Sequence, residues 1–282
     1  MPETPDLIDR AALEHFRDRA LKRDAPALFL HEDAATEIQE RLDEVNRTFT
    51  APAVVSPFPQ VWHRAFPSAL HVPDEEILSL EPGAHDLVIH GLCLHWANDP
   101  VGQLVQCRRA LKPDGLFIGV LFGGQTLHEL RAALSEAEVR LTGGLSPRVA
   151  PMGEIRDLGA LLQRAGFALP VADSAPRRVT YSTALHLLSD LRAMGEVNAL
   201  TARRREPPPR ALFPQTARIY SEHFGTADGR VPATFDTVFL TGWAPDDSQQ
   251  KPLRPGSASQ QLADVLGSEE TPLPDAAPHR RN

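Results

Sequence analysis

Apolar positions along the chain change from helical spacing to short continuous runs after about residue 48. Over residues 5–48 apolar side chains recur every three or four positions, first as Leu7, Ala11, Leu13 and Phe16, then as Ile38, Leu42 and Val45. From residue 49 to about 122, short β-like runs alternate with helical signals, as a parallel sheet with crossover helices requires. The pattern predicts an α/β domain preceded by N-terminal helices that pack on it.

The clearest unit is a strand, helix and strand between residues 86 and 122. Asp86–Leu92 is apolar enough to be a strand that is buried on both faces. Asp99 and Pro100 predict a helix start, because the carboxylate can cap amide donors and proline suits the first turn. A turn at Lys112–Gly115 leads into the next strand, Leu116–Phe122. The unit predicts a right-handed βαβ crossover.

The C-terminal half alternates helices with two further strands. Thr126 and Glu129 have the spacing of a capping box, which predicts a helix start at Thr126. Gly166 is expected to end a helix over residues 155–165. Further elements are predicted as strands at 168–172 and 235–242 and as helices at 182–194 and 211–224. After Trp243 the composition favours a mostly disordered tail, 244–282, with one weak helix near 262–266.

Composition narrows the class of protein. The 282 residues carry a formal net charge of -8, which argues against a nucleic-acid-binding protein. The cluster Arg203–Arg205 is either a solvated turn or a docking patch for an acidic partner. No apolar stretch approaches the length of a membrane span, and acidic residues near the N-terminus argue against a targeting peptide. Cys93 and Cys107 form no CxxC pair and suggest a reducing compartment, so we expect a soluble cytoplasmic protein, not an integral membrane protein.

Two consecutive strand motifs carry a resemblance to a known superfamily. The stretches 86–99 and 111–119 resemble the fourth and fifth strand motifs of class I S-adenosylmethionine (SAM) methyltransferases. Further motifs narrow the resemblance: Phe122–Arg131, Gly143–Pro147, Asp157–Phe167, Asp190–Asn198 and Asp228–Thr234, with Gly242 and Trp243 after them. Together they look like the methyltransferase-like assembly factors of respiratory complex I, which are related to the malonyl-carrier-protein methyltransferase of biotin synthesis. The match runs from about residue 7 to about residue 266.

This resemblance implies a fold and a role. The implied fold is Rossmann-like, with a mostly parallel sheet, helices on both faces and a helical lid insertion at about 176–225 within the domain 49–243. The implied cofactor is S-adenosyl-L-methionine. The implied role is maturation of a complex I subunit, including hydroxylation of an arginine, so the expected partner is a protein subunit and not nucleic acid.

The segment expected to hold the cofactor departs from the superfamily pattern. Methyltransferases use a GxGxG loop after the first strand, because the backbone must approach the cofactor closely. Residues 53–60 read Ala-Val-Val-Ser-Pro-Phe-Pro-Gln and contain no glycine. Pro57 and Pro59 lack amide donors, and Phe58 adds bulk. The sequence therefore predicts a degraded SAM site.

The region around the second strand is short. Only 25 residues separate Gln60 from Asp86, too few for a helix, two strands and their turns. The sequence reveals no second strand with its ribose-binding carboxylate. His71–Glu76 resembles the turn after the third strand, where Asp74 could meet the adenine edge or could simply face solvent.

Two residues that follow the strand at 86–92 are candidates for chemistry. His95 could act as a base or polar contact and Trp96 could stack on a substrate, since ligands bind beyond the carboxyl ends of parallel strands; Trp96 could equally cap the core. His90 and Gly91 are weaker candidates for cofactor contact. His90 with Cys93 lacks a third ligand, so core packing is expected and no metal site.

Four other residues are weaker candidates for the substrate side. Gly123 and Gly124 would let the chain turn close to the site, although a structural need would also explain them. Arg131, which lies with Glu129 on the following helix, could clamp a carboxylate or could make an exposed contact within the helix. Asn198 belongs to a motif in the insertion and could line the site.

Two functions remain open at this point. A methyltransferase or divergent hydroxylase that modifies a protein side chain would bind SAM, with residues 90–96 and 122–131 lining the cleft. A pseudoenzyme would keep the surface that binds a complex I subunit after losing the cofactor pocket. The glycine-free loop favours the pseudoenzyme, and the resemblance favours the enzyme.

Overall fold

One mixed sheet organises the molecule, whose structure is a computed structural model that describes residues 6–250. Its strands are β1 (Pro52–Val55), β2 (Leu70–Val72), β3 (His85–Gly91), β4 (Leu111–Phe122), β5 (Ala168–Tyr181) and β6 (Val231–Trp243). They lie in the order β2-β1-β3-β4-β6-β5. Pairs from β2 to β4 are parallel, and β6 runs antiparallel to both β4 and β5. The carboxyl ends of β1 to β4 therefore share one edge of the sheet.

Eight helices surround the sheet within the described residues: α1 (Arg10–Leu21), α2 (Phe29–Glu44), α3 (Pro59–Ala65), α4 (Pro100–Ala110), α5 (His128–Thr142), α6 (Ile155–Ala165), α7 (Ala184–Met194) and α8 (Leu212–Phe224). A single 3-10 turn, Leu94–Trp96, follows β3. The chain divides into two units, Met1–Asp247 and Ser248–Asn282, and the first unit holds all of these elements.

Helices cover both faces of the sheet. Alternate residues of β4 point to opposite sides, so Ile118 joins a core with α2, α3, α5, α7 and α8, while Phe117 joins a core with α4 and α6. The predicted Rossmann-like methyltransferase architecture is confirmed. Both predicted helix signals also hold: Asp99 caps α4 by accepting from the Gly102 amide at 2.8 Å, and Gly166 ends α6 with a φ of 82°.

The predicted capping box at Thr126 is wrong. Helix α5 begins at His128, because Leu127 lies in the left-handed region with a φ of 54°. The Thr126 hydroxyl instead hydrogen-bonds the backbone of Asp236 on β6. The Glu129 carboxylate accepts from the hydroxyl and amide of Thr234 at 2.6 and 3.2 Å. Both side chains therefore hydrogen-bond residues of β6 and do not cap the helix.

A second strand exists although the sequence did not reveal it. β2 has three residues and pairs in parallel with β1, so it takes the position of the second strand of this fold. The resemblance of His71–Glu76 to the turn after a third strand stays a prediction, and in the structure the strand that contains His71 pairs directly with β1. Asp74 follows the strand next to β1, which is where the ribose-binding carboxylate of this fold lies.

The two late strands are longer than predicted. β5 continues to Tyr181 and pairs with β6 along its length, so residues 176–181 are strand and not part of the helical insertion. That insertion contains α7 and α8. The predicted tail lies outside the described residues from 251 onward. No helix within residues 6–250 is long and apolar enough to cross a bilayer.

Candidate active site

A cleft of about 210 Å³ lies beside the carboxyl end of β4. Its walls are apolar side chains from β4, α5, α7 and β6, including Phe122, Leu130, Leu134, Leu188, Leu191 and Phe235. Trp96 lines it from the turn after β3, and Glu196 and Asn198 line it from the segment after α7. The cleft thus joins the sheet edge to the helical insertion, as a substrate site in this fold requires.

Glu196 is the acid among the residues that line this cleft. Its Oε2 accepts from the Trp96 indole N–H at 2.9 Å and lies 3.4 Å from His95 Nε2. The Phe122 amide donates to His95 Nδ1 at 3.5 Å, which leaves the Nε2–H of His95 to donate a hydrogen bond to Glu196. No donor within residues 6–250 hydrogen-bonds Glu196 Oε1. Oε2 of Glu196 is therefore held by Trp96 and His95, and Oε1 is available to accept a hydrogen bond from a ligand.

The charge of Glu196 is maintained despite its burial. Burial raises the pKa of this carboxyl, but the hydrogen bond from His95, the electrostatic attraction of the same imidazole and the positive charge of Arg17 act in the opposite direction and outweigh it. The net effect lowers the pKa of Glu196 below its ordinary value. Glu196 is thus an anion at neutral pH.

A buried ion pair stands at the end of β2. Arg17 Nη1, from α1, lies 3.0 and 2.9 Å from the two carboxylate oxygens of Asp74. Arg10 adds a contact at 3.4 Å to Asp74 Oδ2 and donates to its backbone carbonyl at 2.5 Å. Arg17 is 5% exposed and Asp74 4%. The carboxylate in the ribose-binding position is therefore already held by two arginines of the chain itself.

The segment after β1 packs as a core element. The Phe58 side chain is 1% exposed, and its ring centre lies 4.7 Å from that of His31. The Trp62 indole donates to His31 Nδ1 at 3.3 Å. Burial lowers the pKa of His31 to about 3, so this imidazole is neutral.

The amides of this segment are also engaged. The Ser56 amide donates to Val72 O at 3.0 Å, and the Phe58 amide lies 3.2 Å from Ser56 Oγ as a donor. Pro57 and Pro59 have no amide hydrogen. A methyltransferase loop offers free amides and open space to its cofactor. Residues 56–59 offer neither, so they do not fit S-adenosyl-L-methionine bound in the usual way.

The structure places the candidates on β3 away from the cleft. His90 Nε2 lies 2.9 Å from Gln103 Oε1, and the Cys93 sulfur lies 3.5 Å from His90 Nδ1. Gly91 packs under Trp62, where an added Cβ would come within 2.6 Å of the indole. Within residues 6–250, no cluster of three or more His, Cys, Asp or Glu side chains is arranged to hold a metal ion.

The remaining candidates divide between the cleft and its surroundings. Gly123 packs against Val238, and Gly124 packs against Glu154. Arg131 donates to the Thr126 carbonyl at 3.3 Å and lines a neighbouring cavity of about 290 Å³. Asn198 lines the cleft, where its amide donates to the Pro147 carbonyl at 2.7 Å.

Sequence reasoning missed the two charged residues that dominate the site. Glu196 stands in the same motif as Asn198, and its position after Gly195 at the end of α7 was the available signal. Arg17 gave no signal, because a basic residue on an amphipathic helix ordinarily faces solvent. Its burial comes from contacts of α1 with the segment after β2 and with Gly195 at the end of α7.

The sheet order and the cleft at the carboxyl edge define a methyltransferase-fold protein, and residues 39–119 match the family model described as "Methyltransferase domain". Over 292 aligned residues the chain is 32% identical to the human protein "Arginine-hydroxylase NDUFAF5, mitochondrial", covering 94% of this chain and 84% of that protein. The chain therefore belongs to the arginine-hydroxylase NDUFAF5 family.

Two other relatives illustrate the range of similarity. The Danio rerio protein of the same name is 42% identical over 71% of this chain, and the chain spans 62% of that relative's length. "Malonyl-[acyl-carrier protein] O-methyltransferase" from Xylella fastidiosa (strain M23) is 34% identical over 64% of this chain and 58% of its own length. The chain is thus similar to proteins named for two different reactions.

Proposed function

We propose that this chain acts in the maturation or assembly of respiratory complex I by binding a protein subunit in the cleft, without using SAM in the usual way. The observation that carries the proposal is the contrast between the two sides of the site. On the side expected to hold the cofactor, Phe58 is buried and Asp74 is paired with Arg17, which supports a closed cofactor position. On the substrate side, the cleft remains open and contains a charged Glu196.

The free-energy cost of opening the side expected to hold SAM supports the same proposal. Seating a ribose against Asp74 requires removal of Arg17 from a buried ion pair, and breaking such a pair costs about 3–5 kcal/mol. Seating the methionine part requires displacement of the buried Phe58 ring, at a cost of about 3–5 kcal/mol. Together these costs would consume most of the affinity of a micromolar ligand, which amounts to about 8 kcal/mol.

Calorimetric titration with SAM and with its demethylated product tests the cofactor side. A malonyl-carrier-protein methyltransferase serves as the positive control. We expect heat from the control and none from this chain. Micromolar binding of either ligand would contradict the proposal and favour an active methyltransferase.

A second candidate function is hydroxylation of an arginine in the bound subunit. It is supported by the names of the relatives, which call them arginine hydroxylases. Mass spectrometry of complex I subunits from cells with and without this chain tests it. An arginine that carries one additional oxygen atom only when the chain is present would favour catalysis over a purely binding role.

We further propose that the chain works in the cytoplasm. Cys93 and Cys107 are both free thiols, which suits a reducing compartment. The names of the NDUFAF5 relatives place those proteins in mitochondria. Cell fractionation with an antibody against this chain distinguishes the two locations.

A further inference from the structure

The cleft combines mostly apolar lining residues with a single acid, Glu196. The lining residues carry three charged side chains: Arg148, Arg192 and Glu196. Arg148 is paired with Glu138 at 2.6 Å, and Arg192 belongs to the exposed part of the lining. Glu196, whose side chain is 11% exposed, is thus the one anion that the cleft presents to a ligand.

This arrangement fits a cation with an aliphatic stem. Apolar side chains such as Leu134, Leu188 and Leu191 suit methylene groups, and the carboxylate suits a positive end group. Glu196 Oε1 receives no hydrogen bond within the described residues, whereas Oε2 is held by Trp96 and His95. The carboxylate is therefore oriented and has one oxygen available for a ligand.

Aromatic neighbours favour a guanidinium over an ammonium. Trp96 and Phe122 line the cleft beside Glu196. A guanidinium is flat, weakly hydrated and stacks on aromatic rings, whereas an ammonium loses a tightly held hydration shell when it is buried. The same walls that hold the stem would therefore hold the face of a guanidinium.

We propose that Glu196 is the specificity-determining residue of this cleft and that it binds the guanidinium of an arginine in the protein subunit. The inference rests on the proposed function in one respect, that the cleft is where the protein substrate binds. On this proposal, Glu196 makes the cleft bind an arginine side chain more tightly than a lysine or a neutral side chain. It requires no cofactor and no identified partner.

Three small probes of similar shape test the assignment: N-butylguanidinium, N-butylammonium and N-butylurea. Each probe is titrated into the full-length chain. Binding is followed by the NMR signal of the Trp96 indole N–H, which donates a hydrogen bond to Glu196. We expect butylguanidinium to bind about tenfold more tightly than butylurea and more tightly than butylammonium. Equal affinity for butylguanidinium and butylurea, or no binding of butylguanidinium, would overturn the proposal.

Variants separate charge recognition from structure. Glu196→Gln keeps the size and the acceptor for Trp96, so we expect it to fold and to lose the preference for butylguanidinium by about tenfold. Glu196→Asp keeps the charge and should retain part of the preference. Glu154→Gln makes the same chemical change at an exposed acid outside the cleft lining and should bind as the wild type does. Unchanged binding by Glu196→Gln would refute the assignment.

This experiment fails or succeeds independently of the proposed function. If the chain binds butylguanidinium but no complex I subunit, the arginine site at Glu196 stands and the proposed partner is wrong. If the chain binds a complex I subunit but does not prefer butylguanidinium, the proposed partner stands and the role of Glu196 is wrong.

Discussion

Arg17 and Asp74 form an ion pair buried at the carboxyl edge of the sheet, with Arg17 Nη1 within 3.0 Å of both carboxylate oxygens. Arg17 Nε and Nη2 are also buried and have no hydrogen-bond partner among the described residues. The pair joins α1 to the segment after β2. It places a cation of the chain itself against the carboxylate that follows the strand next to β1.

Removing Arg17 should therefore destabilise the protein strongly. Arg17→Met leaves Asp74 buried with only the partly exposed Arg10 as a counter-charge, and we expect a loss of about 3–5 kcal/mol in the free energy of unfolding, measured in urea. The double variant Arg17→Met, Asp74→Asn removes both charges and should recover part of that loss. Arg218→Met breaks the exposed pair with Glu222 and should cost less than about 1 kcal/mol. A similarly small effect for Arg17→Met would show that the buried pair contributes little.

Gly91 provides a sharp steric test of the contact between β3 and α3. An added Cβ would lie 2.6 Å from two atoms of the Trp62 indole, and Trp62 is fully buried. We expect Gly91→Ala to lower the free energy of unfolding by about 1–3 kcal/mol, because the ring cannot move aside. Gly144→Ala meets no atom within 4 Å and serves as the matched control. Equal stabilities of the two variants in thermal unfolding would show that the indole relaxes freely.

The fold was largely predictable because its signals are local. The strand at 86–92, the cap at Asp99 and the glycine at 166 each act within a few residues, and the structure has them as expected. β2 escaped detection because three residues are too few to establish a periodic pattern. The misassigned capping box has another cause: Thr126 and Glu129 satisfy the local spacing, but β6 provides their partners more than 100 residues away.

The site was less predictable because its decisive contacts join distant segments. Asp74 was found from the sequence, yet its partners come from α1, 57 and 64 residues earlier. Glu196 lies 100 residues from Trp96 and gains its orientation only when the segment after α7 meets the turn after β3. Residue type and spacing can propose such side chains, but pairing across the fold decides what they do.

Phe58 should behave as a core residue and not as a removable obstacle. Its ring is 1% exposed and packs against His31, so Phe58→Ala should cost about 3–5 kcal/mol in the free energy of unfolding. Because Pro57 and Pro59 remain, we expect no gain of SAM binding in calorimetry. Leu145→Ala, at a side chain that is 67% exposed, should change stability by less than about 0.5 kcal/mol. Micromolar SAM binding by Phe58→Ala would show that one side chain alone closes the cofactor position.

Two buried histidines should make the protein sensitive to mild acid. Burial lowers the pKa of His31 to about 3 and that of His90 to about 4, from an ordinary value of 6.5. The His31 imidazole also uses one nitrogen as an acceptor for the Trp62 indole N–H, and protonation of that nitrogen would remove the bond. Both histidines are therefore neutral in the folded protein and charged in the unfolded chain below pH 6.5.

The stabilisation from these histidines is fully present above pH 6.5 and declines as the pH falls toward the folded values, because the unfolded state then binds more protons. We expect a loss of about 1.4 kcal/mol per pH unit for each histidine between about pH 6 and pH 5, measured by urea unfolding. Carboxyls with lowered pKa, such as Glu138, lose their contribution only at lower pH, below the ordinary value of 4.5. His90→Gln keeps a donor for Gln103 and should halve the slope, whereas a slope that stays unchanged would assign the acid sensitivity to other groups.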